Sequence, residues 1–275
     1  MLLRRCLVRA RAATQHQRRH FPTAYIRDVD GDIYLVGTAH IGKKSREEVV
    51  DIIDKVQPKA VMVELCRGRA ASLRRGGGRS GGGDSATLRM MLERFGLDRR
   101  AAELALGVFN RIAGVLGEQG GDMLAALEAG ERVDARIVHG DVDGATTERR
   151  VREAAQKLVA SPADAAALAM KLSTDADVAR VVASIGAGAL ADGGLEGAIG
   201  GVLNRESARR LGAVLDRHAP DVADALLHAR DAHMADELQA AAKAHGSVVG
   251  VVGIAHMDGI ERRFPNATVV HLDGA

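Results

Sequence analysis

Residues 33–65 constrain the fold more than any other stretch. Ile33–Gly37 (IYLVG) is a short apolar run after the turn residues Asp30-Gly31-Asp32, and Ala60–Leu65 (AVMVEL) is a second. Runs of this length bounded by turn residues read as buried strands. Between them Val49, Ile52, Ile53 and Val56 recur at helical spacing, which makes one face of a helix apolar. Ser45 and Glu48 have the capping-box pattern at its start, and Pro58 ends it. Strand, amphipathic helix and strand within about 35 residues form a βαβ unit, whose strands are parallel. The fold class is therefore α/β, with a central, mostly parallel sheet and flanking helices.

The rest of the chain adds strands at Ala135–His139, Val248–Gly253 and Ala267–Leu272, and a largely helical middle over residues 86–245. Helices are expected at 147–160, 163–171, 175–185, 205–217 and 221–244. The low-complexity run Gly76–Asp84 (GGGRSGGGD) reads as a mobile loop spanning residues 68–86. It lacks the Gly-Lys-Ser/Thr ending of a phosphate-binding loop and follows no strand. Residues 28–275 are expected to form a single domain.

Residues 1–27 carry arginines and no acid before Asp28. This is the pattern of an organellar transit peptide, with a disordered basic leader as the alternative. The expected location is mitochondrial, with chloroplast or cytoplasm as alternatives. Without Cys6 in the leader only Cys66 remains, so no internal disulfide forms and a reducing compartment fits. Aromatics are 2% of residues and the net charge is +2, so neither base stacking nor a broad basic face is available for nucleic acid. No apolar stretch is long enough to span a membrane; peripheral association with an organellar membrane stays open.

Two segments are alike. Val36-Gly37-Thr38-Ala39-His40 ends the first strand, and Val252-Gly253-Ile254-Ala255-His256 ends a late one. Val63-Glu64-Leu65 puts an acid at the end of another. In parallel α/β sheets, sites form outside the carboxyl ends of the strands, so His40, Glu64 and His256 converge if their strands are neighbours. Two imidazoles and a carboxylate suit a divalent metal with open positions for water and substrate. Alternatively Glu64 is a general base and only the histidines touch metal. A third reading is an internal duplication with no metal. Gly37 and Gly253 are expected to let the backbone turn sharply toward a ligand. On helix 221–244, Leu227, Met234, Leu238 and Ala241 mark an apolar stripe that also carries Arg230 and Asp231. Charges on a buried face need partners or a task. They form a local ion pair, or Arg230 orients Glu64 or anchors a substrate carboxylate.

These segments resemble the TraB family, related to the TIKI proteases. The resemblance rests on Gly37-Thr38-Ala39-His40, Val63-Glu64-Leu65-Cys66 with Arg69, Gly121-Asp122-Met123, Gly140-Asp141 with Thr147, Arg149 and Arg150, Arg230-Asp231, and Gly253-Ile254-Ala255-His256. It implies a site with His40, Glu64 and His256 as metal ligands or catalytic groups. Arg69, Asp141, Arg149, Arg230 and Asp231 would bind or orient substrate. It further implies metal-dependent peptide cleavage with manganese or cobalt, zinc being a further possibility, and a peptide or protein as substrate or partner. Val142, Ala229 and Asp122 stand where the family pattern has Arg, Glu and Glu. These departures support a second expectation, an inactive organelle-associated regulator that binds protein.

Overall fold

The computed structural model describes residues 23–38, 42–75, 120–191 and 204–271. Two compact units emerge. The first comprises the described parts of Met1–Gly78, Glu118–Gly144 and Ala229–Ala275; the second comprises those of Arg79–Gly117 and Ala145–His228.

The first unit holds a six-stranded sheet: β1 (Thr23–Asp28), β2 (Gly31–Thr38), β3 (Ala60–Val63), β4 (Arg136–His139), β5 (Ser247–Gly253) and β6 (Thr268–His271), in the order β4-β3-β5-β2-β1-β6. β4, β3, β5 and β2 run parallel, while β1 is antiparallel to both β2 and β6. The α/β class and the mostly parallel sheet are as the apolar runs imply. β2 and β3 do run in one direction, but β5 lies between them.

Successive side chains of a strand point to opposite faces, and both faces here are covered. Tyr34, Val36, Val61, Val63, Val249 and Val251 face α1 (Gly42–Val56) and α3 (Gly121–Arg132), through Ile52, Ile53, Met123 and Leu127. Ile33, Leu35, Met62, Val248 and Val252 pack with Met234 and Leu238 of α9 (Ala229–His245) and Met257 and Ile260 of α10 (Met257–Glu261). Burial on both faces explains why the strands read as unbroken apolar runs. Each fully buried Leu or Ile contributes about 1.5–3 kcal/mol. Gly31 closes the β1–β2 turn at φ 150°, and a Cβ there would lie 2.7 Å from the Gly246 carbonyl oxygen, so only glycine fits.

Several expectations are corrected. The leader does not extend to residue 27: Thr23–Asp28 is a strand, with Ala24 and Ile26 fully buried. Its pairing on both sides outweighs the basic neighbourhood that made it read as leader. The expected loop over 68–86 begins as helix α2 (Arg67–Arg74); residues 76–119 lie outside the described residues. Ser45 is not an N-cap, because α1 already starts at Gly42. Its hydroxyl is buried with no hydrogen-bond partner among the described residues.

The second unit is helical: α4 (Gly144–Leu158, whose first residue belongs to the first unit), α5 (Pro162–Thr174), α6 (Ala176–Ala191), α7 (Arg205–His218) and α8 (Pro220–Ala223). Ser161 and Asp164 form a capping box on α5. Asp175 and Asp177 at the start of α6 bind Arg217, and Asp175 also meets His218. The His218 hydrogen bond is the main influence holding the Asp175 carboxyl below the usual range. Among the described residues, no helix is long and apolar enough to cross a membrane.

A π-helical turn, Asp224–His228, precedes α9. Its wider winding shifts the helical phase. Hence the expected stripe from Leu227 to Ala241 is broken: Met234, Leu238 and Ala241 are buried in the first unit, while Leu227 is half-exposed in the second.

Candidate functional site

Four parallel strands end at one edge of the sheet. The β2–β3 and β3–β4 connections carry α1 and α3 on one face, while α9 enters β5 from the other. The connections therefore change sides at β5, and the crevice outside the strand ends at such a point is where α/β proteins bind ligands. Glu64 follows β3, Asp141 follows β4, and His256 follows β5 on a single 3₁₀ turn. Arg230 and Asp231 lie in the first turn of α9, whose N-terminus reaches the same edge.

These five side chains form one network. Arg230 Nε and Nη2 donate to Asp141 Oδ1 and Oδ2, each at 2.9 Å, a bidentate fork. Nη2 also donates to Glu64 Oε1 at 2.5 Å. Glu64 Oε2 accepts the Gly253 backbone N–H at 2.6 Å. His256 Nδ1 donates to Asp231 Oδ1 at 2.6 Å, and its Nε2 lies 3.3 Å from Glu64 Oε1 and 3.1 Å from Arg230 Nη1. Arg69 Nη1 donates to Asp141 Oδ2 at 2.9 Å from the solvent side. Side-chain exposure is 8% for Glu64, 2% for Asp141, 12% for Arg230, 4% for Asp231 and 6% for His256, against 52% for Arg69.

Three carboxylates thus face two arginines and one histidine. Burial by itself lowers the His256 pKa, but the Glu64 charge and the hydrogen bonds to Asp231 and Glu64 outweigh it and the repulsion from Arg230. The result is a rise from 6.5 to about 9, so His256 is an imidazolium at neutral pH and balances the charges. Burial likewise opposes the charge of Arg230, and Asp141 and Glu64 overcome it, so its pKa is raised. His256 Nδ1 anchored on a buried carboxylate fixes the ring orientation and leaves Nε2 facing the centre of the network, as in hydrolytic Asp–His pairs.

The structure brings together Glu64, Asp141, Arg230, Asp231 and His256, with Arg69 at the mouth. Arg230 and Asp231 are not a local pair, since their partners lie far away in sequence. Arg149 sits exposed on α4 in the second unit, and His40 lies outside the described residues. Gly37 and Gly253 do not make the sharp turns expected of them. Gly253 is extended at φ −63°, ψ 143°, and Gly37 has no positive φ; strand pairing with β5 and β2 keeps both in ordinary backbone. Gly253 instead supplies a backbone donor to Glu64, a role that its residue type does not signal.

The metal expectation meets a specific obstacle. The two described donors, Glu64 Oε1 and His256 Nε2, both face the Arg230 guanidinium, and the third expected donor, His40, lies outside the described residues. Among the described residues no set of three His, Cys, Asp or Glu is arranged to hold a metal ion.

Residues 159–264 match the TraB/PrgY/gumN family, a segment that includes Arg230, Asp231 and His256. The chain is 40% identical over 55 residues to a TraB domain-containing protein of Bos taurus, covering 20% of this chain and 15% of that protein. It is 35% identical over 71 residues to a TraB domain-containing protein of Homo sapiens, covering 25% and 19%. An uncharacterized protein of Methanocaldococcus jannaschii is 55% identical over 42 residues, covering 15% and 11%. The matches span less than a fifth of each relative's length.

Proposed function

We propose that the chain is a hydrolase of peptide bonds whose working groups are Glu64 and His256. The observation that carries this reading is the burial of five charged side chains, drawn from four separated chain segments, at the carboxyl edge of the sheet. Burying ion pairs seldom adds net stability, because desolvation cancels most of the attraction. Such clusters with shifted pKa values concentrate at functional sites.

In this reading Glu64 takes a proton from water as it adds to the substrate carbonyl. The His256 imidazolium gives its Nε2 proton to the departing amine as the C–N bond breaks. Asp231 keeps the ring oriented and charged. Arg230, fixed by Asp141, positions Glu64 and stabilises negative charge that develops beside it. No step passes through a metal. The match of residues 159–264 to the TraB/PrgY/gumN family supports a TraB-type site, and the TIKI-like peptidase activity is part of the proposal.

The test is incubation of the full chain with a mixed peptide library and detection of new termini by mass spectrometry. Chelator-treated samples run beside samples given manganese, cobalt or zinc. Cleavage that survives chelation and vanishes in His256→Gln supports the proposal. Cleavage only with added metal replaces it with a metal-dependent mechanism in which Arg230 leaves the two donor atoms. No cleavage under any condition returns the chain to the regulator reading. The acid-free N-terminal stretch supports delivery to mitochondria; a fluorescent fusion of residues 1–22 that stays cytosolic contradicts that.

A further inference from the structure

The Ser45 hydroxyl is not used by the proposed chemistry and has no hydrogen-bond partner among the described residues, although Ser45 is only 1% exposed. A helical serine shielded from water ordinarily bonds back to a carbonyl one turn earlier, and Ser45 does not. It lies one turn before Val49, on the face through which Val49, Ile52 and Ile53 enter the core. Helix α1 follows β2 and so starts at the carboxyl edge of the sheet. Side chains of a helix lean toward its N-terminus, so the Ser45 hydroxyl is aimed at the first turn of α1.

That turn favours negative charge. The N–H groups in the first turn of a helix have no acceptor within it, and the helix dipole is positive there. Helix α1 is 15 residues long with no acid in its first turn, whereas the start of α3 holds the buried Asp122. Lys43 and Lys44 stand in the turn, while Glu47 and Glu48 come after Ser45 and have partners of their own. Gly37, Gly42 and Lys43 keep the Gly-x-x-x-x-Gly-Lys spacing of phosphate-binding loops. A strand precedes and a helix follows, which is the context that motif needs. Lys44 replaces its Ser or Thr, and the hydroxyl comes one residue later, at Ser45.

We propose that the first turn of α1 binds a phosphoryl group, with the Ser45 hydroxyl and the first-turn N–H groups as donors. The anion gives the buried hydroxyl the acceptor it lacks and meets the positive end of the helix. Free orthophosphate and the terminal phosphate of a nucleotide present the same oxygens, so both serve as probes. The inference stands apart from the hydrolase reading: either can fail while the other holds.

The experiment follows thermal unfolding of the full chain, as wild type and as Ser45→Ala, against orthophosphate, ATP and acetate at constant ionic strength. The wild-type midpoint should rise with orthophosphate, ATP or both along a binding curve, since a ligand of the native state stabilises it by mass action. A response to ATP alone identifies a nucleotide, and a response to orthophosphate shows that the free anion suffices. Acetate should give no such curve. Phosphate also stabilises proteins by exclusion from their surface, but does so equally in both chains. Without ligand, Ser45→Ala should unfold at the wild-type temperature or higher, because alanine removes a buried group that has no partner and is the better helix former. Its Kd for the phosphoryl probe should rise roughly tenfold or more, the loss of a hydrogen bond to a charged ligand. Ser173→Ala, on the exposed side of α5, should bind as the wild type does. The proposal is overturned by the absence of a binding curve for either phosphoryl probe, by an equal curve with acetate, or by an undiminished response in Ser45→Ala. A Ser45→Ala chain less stable than the wild type without ligand also overturns it, since the hydroxyl would then have a structural partner.

Discussion

Raising the pH should unload the network through His256. Its pKa is about 9 in the folded chain against an ordinary 6.5. A raised folded-state pKa means that the native state holds its proton more tightly than the unfolded state. The resulting stability is fully present below pH 6.5 and is lost as pH rises through about 9. That difference corresponds to about 3 kcal/mol. The site is buried enough for the figure to need little screening correction, since His256, Glu64 and Asp231 are each under a tenth exposed. Denaturant unfolding of the full chain, followed by circular dichroism between pH 6.5 and 9.5, measures it. His256→Gln is run alongside to isolate the contribution of His256. The wild type should lose about 3 kcal/mol more than the variant across the window. His139, whose folded pKa is lowered, acts below pH 6.5 and with the opposite sign, so it does not contaminate the comparison. A wild type whose stability follows that of His256→Gln across the range would refute the reasoning.

Other consequences follow from the same contacts. Arg230→Met should cost about 3–5 kcal/mol in denaturant unfolding at pH 7, because it leaves Glu64 and Asp141 buried without their shared cation; a cost under about 1 kcal/mol contradicts the network. Gly259→Ala should cost about 1–3 kcal/mol, because its Cβ would lie 1.7 Å from Asp231 Oδ2 and push that carboxylate from the His256 ring. NMR of the same variant should show a lower His256 pKa, whereas an unchanged one would mean that Asp231 does not hold it up. If His256 donates the leaving-group proton, kcat should fall as pH rises through about 9, and a rate that climbs through that range excludes this role.

Much of this site can be read in the sequence, for reasons that differ by residue. Glu64 and His256 are legible because an apolar run buried on both faces must end at the sheet's rim, where a polar side chain stands out. Arg230 and Asp231 are legible because they break an apolar stripe. Their partners are not, since they depend on how α9 meets the sheet. Asp141 and Arg69 carried no signal of their own beyond the family resemblance. β1 was missed because four buried residues beside a basic leader make too short a run to register. The π-helical turn was missed because a 3.6-residue period is assumed when a helix is read from spacing. The metal expectation came from donor types alone; spacing could not reveal that a guanidinium lies against two of the three donors.

The most direct test of the account is the rate of peptide hydrolysis by Glu64→Gln against the wild type at pH 7, with both proteins shown to be folded. The substitution keeps the side chain's shape and an acceptor for the Gly253 N–H while removing the base. A loss of roughly 100-fold or more is predicted, within the range that a general base supplies. A variant that cuts peptides as fast as the wild type would contradict the assignment of Glu64, and with it the hydrolytic role given to this network.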